Sequence, residues 1–214
     1  MPLGVIMHGF CKVLIFAVIL VFSGDLALAY EEPRYSVVQT YDDFELRQYE
    51  PFIVAEIVVD GAFDEVGGQA FRGLFAYISE DERPQGKIAM TAPVIQQPVP
   101  KETTQEKTRS TQEPEKPRYR FAFVMPAQYR LEDLPLPKSA EIQIDQKPVR
   151  LMAVRRYSGT WSEERYRENE HILMAALARE GMRILGEPIF ARYNAPFSLW
   201  FLRRNEVLIE VQLP

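Results

Sequence analysis

The side chains able to carry chemistry in this 214-residue chain are few and widely spaced. Its two histidines are His8 and His171, and its single cysteine is Cys11. His8 and Cys11 lie just before the apolar run Val13 to Phe22, so His171 is the only histidine in the body of the chain. Without a further cysteine there is no disulfide, iron–sulfur cluster or cysteine-bearing zinc site there. On a helical wheel His171 shares a face with Glu164, Glu168 and Ala178, opposite Tyr166, Leu173 and Leu177, which predicts a solvated histidine rather than an iron ligand. Met90, Met125, Met152, Met174 and Met182 could offer iron a sulfur, and Tyr49, Tyr77 and Tyr193 a phenolate. Their expected roles are core gap-fillers and amphipathic core-edge aromatics. Glu206 and Glu210 share one strand face, with Val207, Ile209 and Val211 on the other. That acidic face is either solvated or turned inward. No Ser-His-Asp set, glycine-rich phosphate loop, HExxH or metal-spaced acidic cluster occurs, so no catalytic or metal-binding residue is assigned. A pair of carboxylates meeting in space stays open.

The elements that must position these groups follow from periodicity. Tyr35 to Thr40, Phe44 to Tyr49 and Phe52 to Val59 alternate or run apolar, as strands do. Asp64 to Ser79 reads as a helix with Asp64 as N-cap, because Val66, Ala70, Phe71, Leu74, Phe75 and Ile78 fall at three- and four-residue steps. Gly67 and Gly68 weaken its first turn, each by about 1 kcal/mol relative to alanine, which suggests either a close backbone approach there or a frayed helix start. Lys87 to Gln96 and Arg118 to Met125 are the next strands, with Pro93 at an edge or bulge. Between them, residues 98–118 are rich in Pro, Thr, Gln, Glu and Lys without apolar period, and read as a disordered hairpin loop. Glu141 to Ile144 and Val149 to Tyr157 are strands, and Ser162 to Arg179 is a helix. Thr160 with Glu163 fits a capping box, and Gly181 a C′ residue. Ile189 to Tyr193 and Glu206 to Leu213 close the chain.

The two halves repeat. Gly61-Ala62-Phe63 matches Gly159-Thr160-Trp161, and Met90-Thr91-Ala92-Pro93-Val94 matches Tyr193-Asn194-Ala195-Pro196-Phe197. Each half is strand, helix, strand, strand, and neither can cover its sheet alone. The expected fold is α+β: two β-α-β-β repeats forming a pseudo-two-fold distorted β-barrel or twisted antiparallel sheet with two main helices.

The N-terminal run is preceded by Lys12 and followed by Ala27-Leu28-Ala29, the layout of a secretory signal peptide over residues 1–29. Cleavage after Ala29 predicts a periplasmic or secreted protein with one domain at residues 30–214 and no stable membrane span. An uncleaved segment would instead anchor it in the inner membrane. The net charge of −5, with no basic stripe, argues against nucleic acid as a partner. A monomer is expected.

Three stretches resemble the SOUL heme-binding family. They are Tyr49-Glu50-Pro51-Phe52-Ile53-Val54-Ala55, Lys87-Ile88-Ala89-Met90-Thr91-Ala92-Pro93-Val94, and Tyr193-Asn194-Ala195-Pro196-Phe197 with Arg203-Arg204-Asn205-Glu206-Val207. The resemblance spans nearly all of Tyr35 to Val211 and implies the same pair of β-α-β-β repeats, an architecture shared with gyrase-inhibitor-like small-molecule-binding domains. It implies non-covalent binding of heme or metal-free porphyrin, for transport, buffering or scavenging, and no enzymatic activity. The implied site is a hydrophobic groove lined by Phe71, Arg72, Leu74 and Phe75 of the first helix and by Phe197, Trp200, Arg203 and Arg204 of a late loop. Apolar walls would bury the flat ring, and arginines would meet its propionates. Two other readings stay open: a small-molecule hydrolase on the gyrase-inhibitor-like fold, using Glu206 or Glu210 with a tyrosine, and an interaction protein without a small ligand.

Overall fold

The computed structural model describes residues 30–81, 86–100 and 116–213. The expected signal peptide at 1–29 and most of the polar loop, residues 101–115, lie outside the described residues. Among the described residues, ten strands and two α-helices occur in chain order: β1 (Tyr35–Thr40), β2 (Glu45–Tyr49), β3 (Phe52–Asp60), α1 (Gly67–Ser79), β4 (Val94–Pro98), β5 (Arg118–Val124), β6 (Ile142–Lys147), β7 (Arg150–Tyr157), α2 (Glu163–Arg179), β8 (Arg183–Ile184), β9 (Ile189–Arg192) and β10 (Asn205–Gln212).

The strands form one antiparallel sheet in the order β1-β2-β7-β10-β9-β4-β5-β3-β6, with β8 also paired to β10. From the β4/β9 seam outward the order reads β4-β5-β3-β6 on one side and β9-β10-β7-β2 on the other. That mirrored order is the pseudo-two-fold expected of two repeats. The sheet curls into a half-barrel, and the fold is α+β as the sequence implies.

Period-two alternation assigns the two sheet faces. On β3, Ile53, Ala55, Ile57 and Val59 join the main core, whereas Val54 joins a separate cluster on the other face. On β10, Val207, Ile209 and Val211 belong to the main core, and Leu208 to a cluster with Tyr49, Met152, Ala191 and Tyr193. Helix α1 packs over β3 and β5, and α2 over β7 and β10, all on the main-core face. The opposite, concave face carries no helix.

Several details differ from the sequence expectation. Residues 87–93 are not strand, and β4 begins only at Val94, after the cis Ala92-Pro93 peptide. The MTAPV segment therefore leads into β4 while YNAPF follows β9, so those two segments are not equivalent in the repeat. The Gly61/Gly159 match is structural: both glycines have positive φ, at 145° and 137°, just before their helices. Asp64 does not cap α1, whose N-cap Val66 makes no side-chain cap bond. A turn at residues 63–66 delays the helix, and Asp64 Oδ1 instead accepts the backbone N–H of Glu163 at the start of α2, 2.9 Å away. Helix α2 is capped by Ser162 rather than Thr160, its side chain accepting from Arg165 N–H. Met174 is exposed rather than a core filler, whereas Met125, Met152 and Met182 are buried. Tyr49, Tyr77 and Tyr193 are buried.

Candidate functional site

On the helix side of the sheet, one row of residues links α1 with the base of the 194–203 loop. Register places Phe123, Val94 and Arg192 in one transverse row across β5, β4 and β9. Phe71 of α1 packs edge-on against Phe123, centroids 5.3 Å apart, and stacks on Phe75 at 5.6 Å. Both rings reach solvent, with 37% and 46% of their surfaces exposed. At the other end of the row, the Arg192 guanidinium lies 5.5 Å from the Trp161 ring, and Arg203 stacks on that same indole at 4.4 Å. Arg203 also donates to the carbonyls of Ser198 and Pro196, pinning the 194–203 loop at its base. Above that base, Phe197 and Trp200 are 88% and 58% exposed, and Leu199, Phe201 and Leu202 are exposed too. Contiguous exposed apolar groups of this kind mark binding surfaces.

Arg192 is the residue that sequence reasoning missed. Its guanidinium faces the rings of Phe121, Trp161 and Phe190 and donates to Gln96 Oε1. Its Nε is buried with no acceptor, and among the described residues no carboxylate pairs with it. Burial holds its pKa down at about 10, despite the opposing influence of Tyr157 and Asp64. Gly67 explains how it fits: a Cβ there would stand 3.2 Å from Arg192 Nη1. Arg72 folds back over the next residue, its Nη1 3.6 Å from where a Gly68 Cβ would be. Two guanidinium groups thus bracket the first turn of α1, which has no capping side chain and no acidic residue. Unsatisfied N–H groups, the positive helix end and two cations make that turn receptive to a carboxylate. The only signal in the sequence was the otherwise costly Gly67-Gly68 pair.

The remaining expected site residues fall elsewhere. Leu74 is fully buried in the core beneath α1 and does not line the groove. Arg204 points to the concave face, where its Nε donates to Glu206 Oε1 at 3.0 Å and its Nη1 to Glu32. His171 is exposed on α2, and no group of three or more His, Cys, Asp or Glu able to hold a metal exists among the described residues.

On the concave face Glu206 is wholly buried and turned inward. Its Oε2 accepts from Arg47 at 3.0 Å and from the Tyr193 hydroxyl at 2.7 Å, while Oε1 takes Arg204. Burial opposes the charge on both arginines, yet Glu206 holds their pKa values above the usual arginine range. Burial, with the Glu206 charge second, pushes Tyr49 up to about 12 and Tyr193 well above 10. The glutamate–tyrosine pair is therefore present, but both carboxylate oxygens are already engaged by cations. Beyond it lies an apolar cleft of about 310 Å³ edged by charged side chains.

A curled antiparallel sheet with one helix from each repeat on one face and an apolar cleft on the other defines a two-repeat protein of the α+β class. Residues 30–210 match the family described as SOUL heme-binding protein, and the chain belongs to that family. No curated protein matches the chain. Among solved structures it is similar to the C-terminal domain of EcmrR, at 12% identity and TM-score 0.54 over 84% of this chain and 99% of that one. It is also similar to a hydrolase encoded by lin2189 from Listeria innocua, at 11% identity and TM-score 0.56 over 79% of this chain and 92% of that one. An uncharacterized conserved protein from Listeria innocua gives 11% identity and TM-score 0.54 over 86% and 93%. These likenesses show the fold alone.

Proposed function

We propose that the protein binds heme or another tetrapyrrole non-covalently on the helix side of the sheet, between α1 and the 194–203 loop, for transport, buffering or scavenging outside the cytoplasm. Phe71 and Phe75 on one flank and Phe197 and Trp200 on the other supply apolar surface for the macrocycle, worth about 25 cal/mol for each Å² removed from water. The propionates meet Arg72 and Arg192 at the first turn of α1. One observation carries the reading: Arg192 is a desolvated cation with no carboxylate paired to it among the described residues, beside an uncapped helix start, in a row flanked by exposed aromatics. An arriving carboxylate supplies the missing partner. Export follows from the signal-like segment at residues 1–29 and the A-x-A site ending at Ala29.

With His171 on the far face of α2, contacts to the ring and propionates dominate, and iron contributes little. Titrating the full chain with hemin and with metal-free protoporphyrin, followed by Soret absorption and fluorescence quenching, is expected to give affinities within a few-fold of each other. Phe71→Ala with Phe75→Ala weakens both. Arg192→Met weakens the free-acid porphyrin but not its dimethyl ester. A strong preference for the iron form, or aromatic variants that bind as tightly as wild type, would reject the proposal. The hydrolase alternative draws no support from Glu206, whose two oxygens are taken by Arg47, Tyr193 and Arg204.

A further inference from the structure

The concave cleft lies on the sheet face opposite the helices, and its lining shares no residue with the proposed tetrapyrrole contacts. Its floor is apolar: Phe52 and Val54 from β3, Ile95 from β4, Met152 from β7, Ala191 from β9 and Leu208 from β10. At about 310 Å³ it stands at the low end of the roughly 300 to 1,000 Å³ typical of ligand pockets. That volume suits one acyl chain or a one- or two-ring molecule rather than a macrocycle. One end is closed by Tyr49 and Tyr193, behind which Glu206 is neutralised by Arg47 and Arg204. The wall therefore presents no free negative charge to a ligand. At the rim, Arg120, Lys147 and Arg150 share Glu56 and Glu210. Lys147 Nζ lies 3.0 Å from Glu56 Oε2, and Arg120 Nε 3.3 Å from Glu56 Oε1 without hydrogen-bond geometry. Arg150 is held loosely by Glu210 at 3.6 Å. Asp145, 2.6 Å from Lys147, brings the rim to three carboxylates against three cations, but Arg120 Nε is buried without a hydrogen-bond partner and Arg150 is only loosely held, so the rim keeps cationic donors free to meet an anion.

We propose that this cleft binds a small apolar carboxylate, such as a medium-chain fatty acid, with its tail on the β3/β4/β9/β10 floor and its carboxylate at the Arg120–Lys147–Arg150 rim. Charge sign is the discriminating feature. Burial of the tail supplies affinity, and a guanidinium–carboxylate pair at the mouth orients it.

The test uses the full chain, with decanoate and decyltrimethylammonium as probes of equal tail length and opposite charge, read by isothermal titration calorimetry. Decanoate is expected to bind at least tenfold more tightly than the ammonium probe. Lys147→Glu should reduce or reverse that preference. Ala191→Trp, which fills the floor, should abolish decanoate binding while leaving hemin titration intact. Because a tryptophan at Ala191 could impair folding, the charge swap at the half-buried Lys147 decides independently. Equal binding of the two probes, an unchanged preference in Lys147→Glu, or displacement of decanoate by one equivalent of hemin would overturn the assignment. Loss of hemin binding in a folded Ala191→Trp protein would instead count against the helix-side tetrapyrrole site.

Discussion

The two faces of the sheet treat buried charge in opposite ways. On the concave face Glu206 sits among Arg47, Arg204 and Tyr193, and every polar atom of its carboxylate is engaged. On the helix face Arg192 is buried among aromatic rings with an amide as its hydrogen-bond partner and, among the described residues, no paired carboxylate. The first arrangement is closed: adding a ligand would have to break an existing pair. The second is incomplete, and an anion would complete it. The lesson is that burial of a charged group does not by itself mark a site; the state of its partners does. Glu206 has the burial often associated with catalysis but functions as an internal brace, whereas Arg192 is the group left unmatched.

Perturbing the brace should give the largest effect. Glu206→Gln removes the carboxylate between Arg47 and Arg204 and leaves each only its more exposed outer partner, Glu45 and Glu32, and breaking a buried pair of this kind costs about 3 to 5 kcal/mol. Urea unfolding is expected to show that loss while the mutant, where folded, still binds porphyrin. If Glu206→Gln abolished porphyrin binding at full structural integrity, the division of roles between the faces would be wrong.

Removing the aromatic flank on the helix side should come next. Phe71→Ala with Phe75→Ala is expected to lower porphyrin affinity about 100-fold, equivalent to about 3 kcal/mol. Its effect on stability is small, because both rings are partly exposed.

An alkaline titration separates the faces more gently. The Tyr49 pKa is raised to about 12 by burial, reinforced by Glu206, so the folded state holds that proton more tightly than the unfolded chain, where a tyrosine titrates near 10. The stabilisation is complete below pH 10 and is lost as pH climbs from 10 toward 12, by about 2 to 3 kcal/mol at 1.4 kcal/mol per unit. Comparing wild type with Tyr49→Phe by denaturant melts at pH 8 and pH 11 checks this, since the variant should lose less stability over that interval.

The smallest effect is expected at Gly67. Alanine improves helix propensity by about 1 kcal/mol, but its Cβ would meet Arg192 Nη1 at 3.2 Å. The two effects should nearly cancel in stability. Affinity for free-acid porphyrin should nonetheless fall several-fold as Arg192 is displaced, while affinity for the dimethyl ester stays constant.

Much of this architecture was legible in the sequence, because alternation and helical stripes are local patterns. Val207, Ile209 and Val211 against Glu206 and Glu210 gave the two faces of β10, and Tyr166, Leu173 and Leu177 gave the buried stripe of α2. What sequence could not supply was pairing across the sheet. Glu206 meets Arg47, 159 residues away, because β2 and β10 both flank β7. Nothing local to either residue announces that. Arg192 was hidden for the same reason: its significance lies in the absence of a carboxylate, which depends on what β4, β5 and the two helix starts bring to it. Arg204 was misplaced to the ligand groove because adjacent residues on an extended chain point to opposite faces, and Arg203 alone faces Trp161. The capping expectation at Asp64 failed because the side chain found an N–H of α2 rather than of its own helix.

Hydrogen–deuterium exchange on the full chain with and without protoporphyrin locates the macrocycle on one face of the sheet. Exchange is expected to slow in the first turns of α1, from Gly67 through Phe75, and in residues 194–203, with no change along β3 or β7. Protection along β3 and β7 with α1 and the loop unaffected would place the macrocycle on the concave face and contradict the helix-side site.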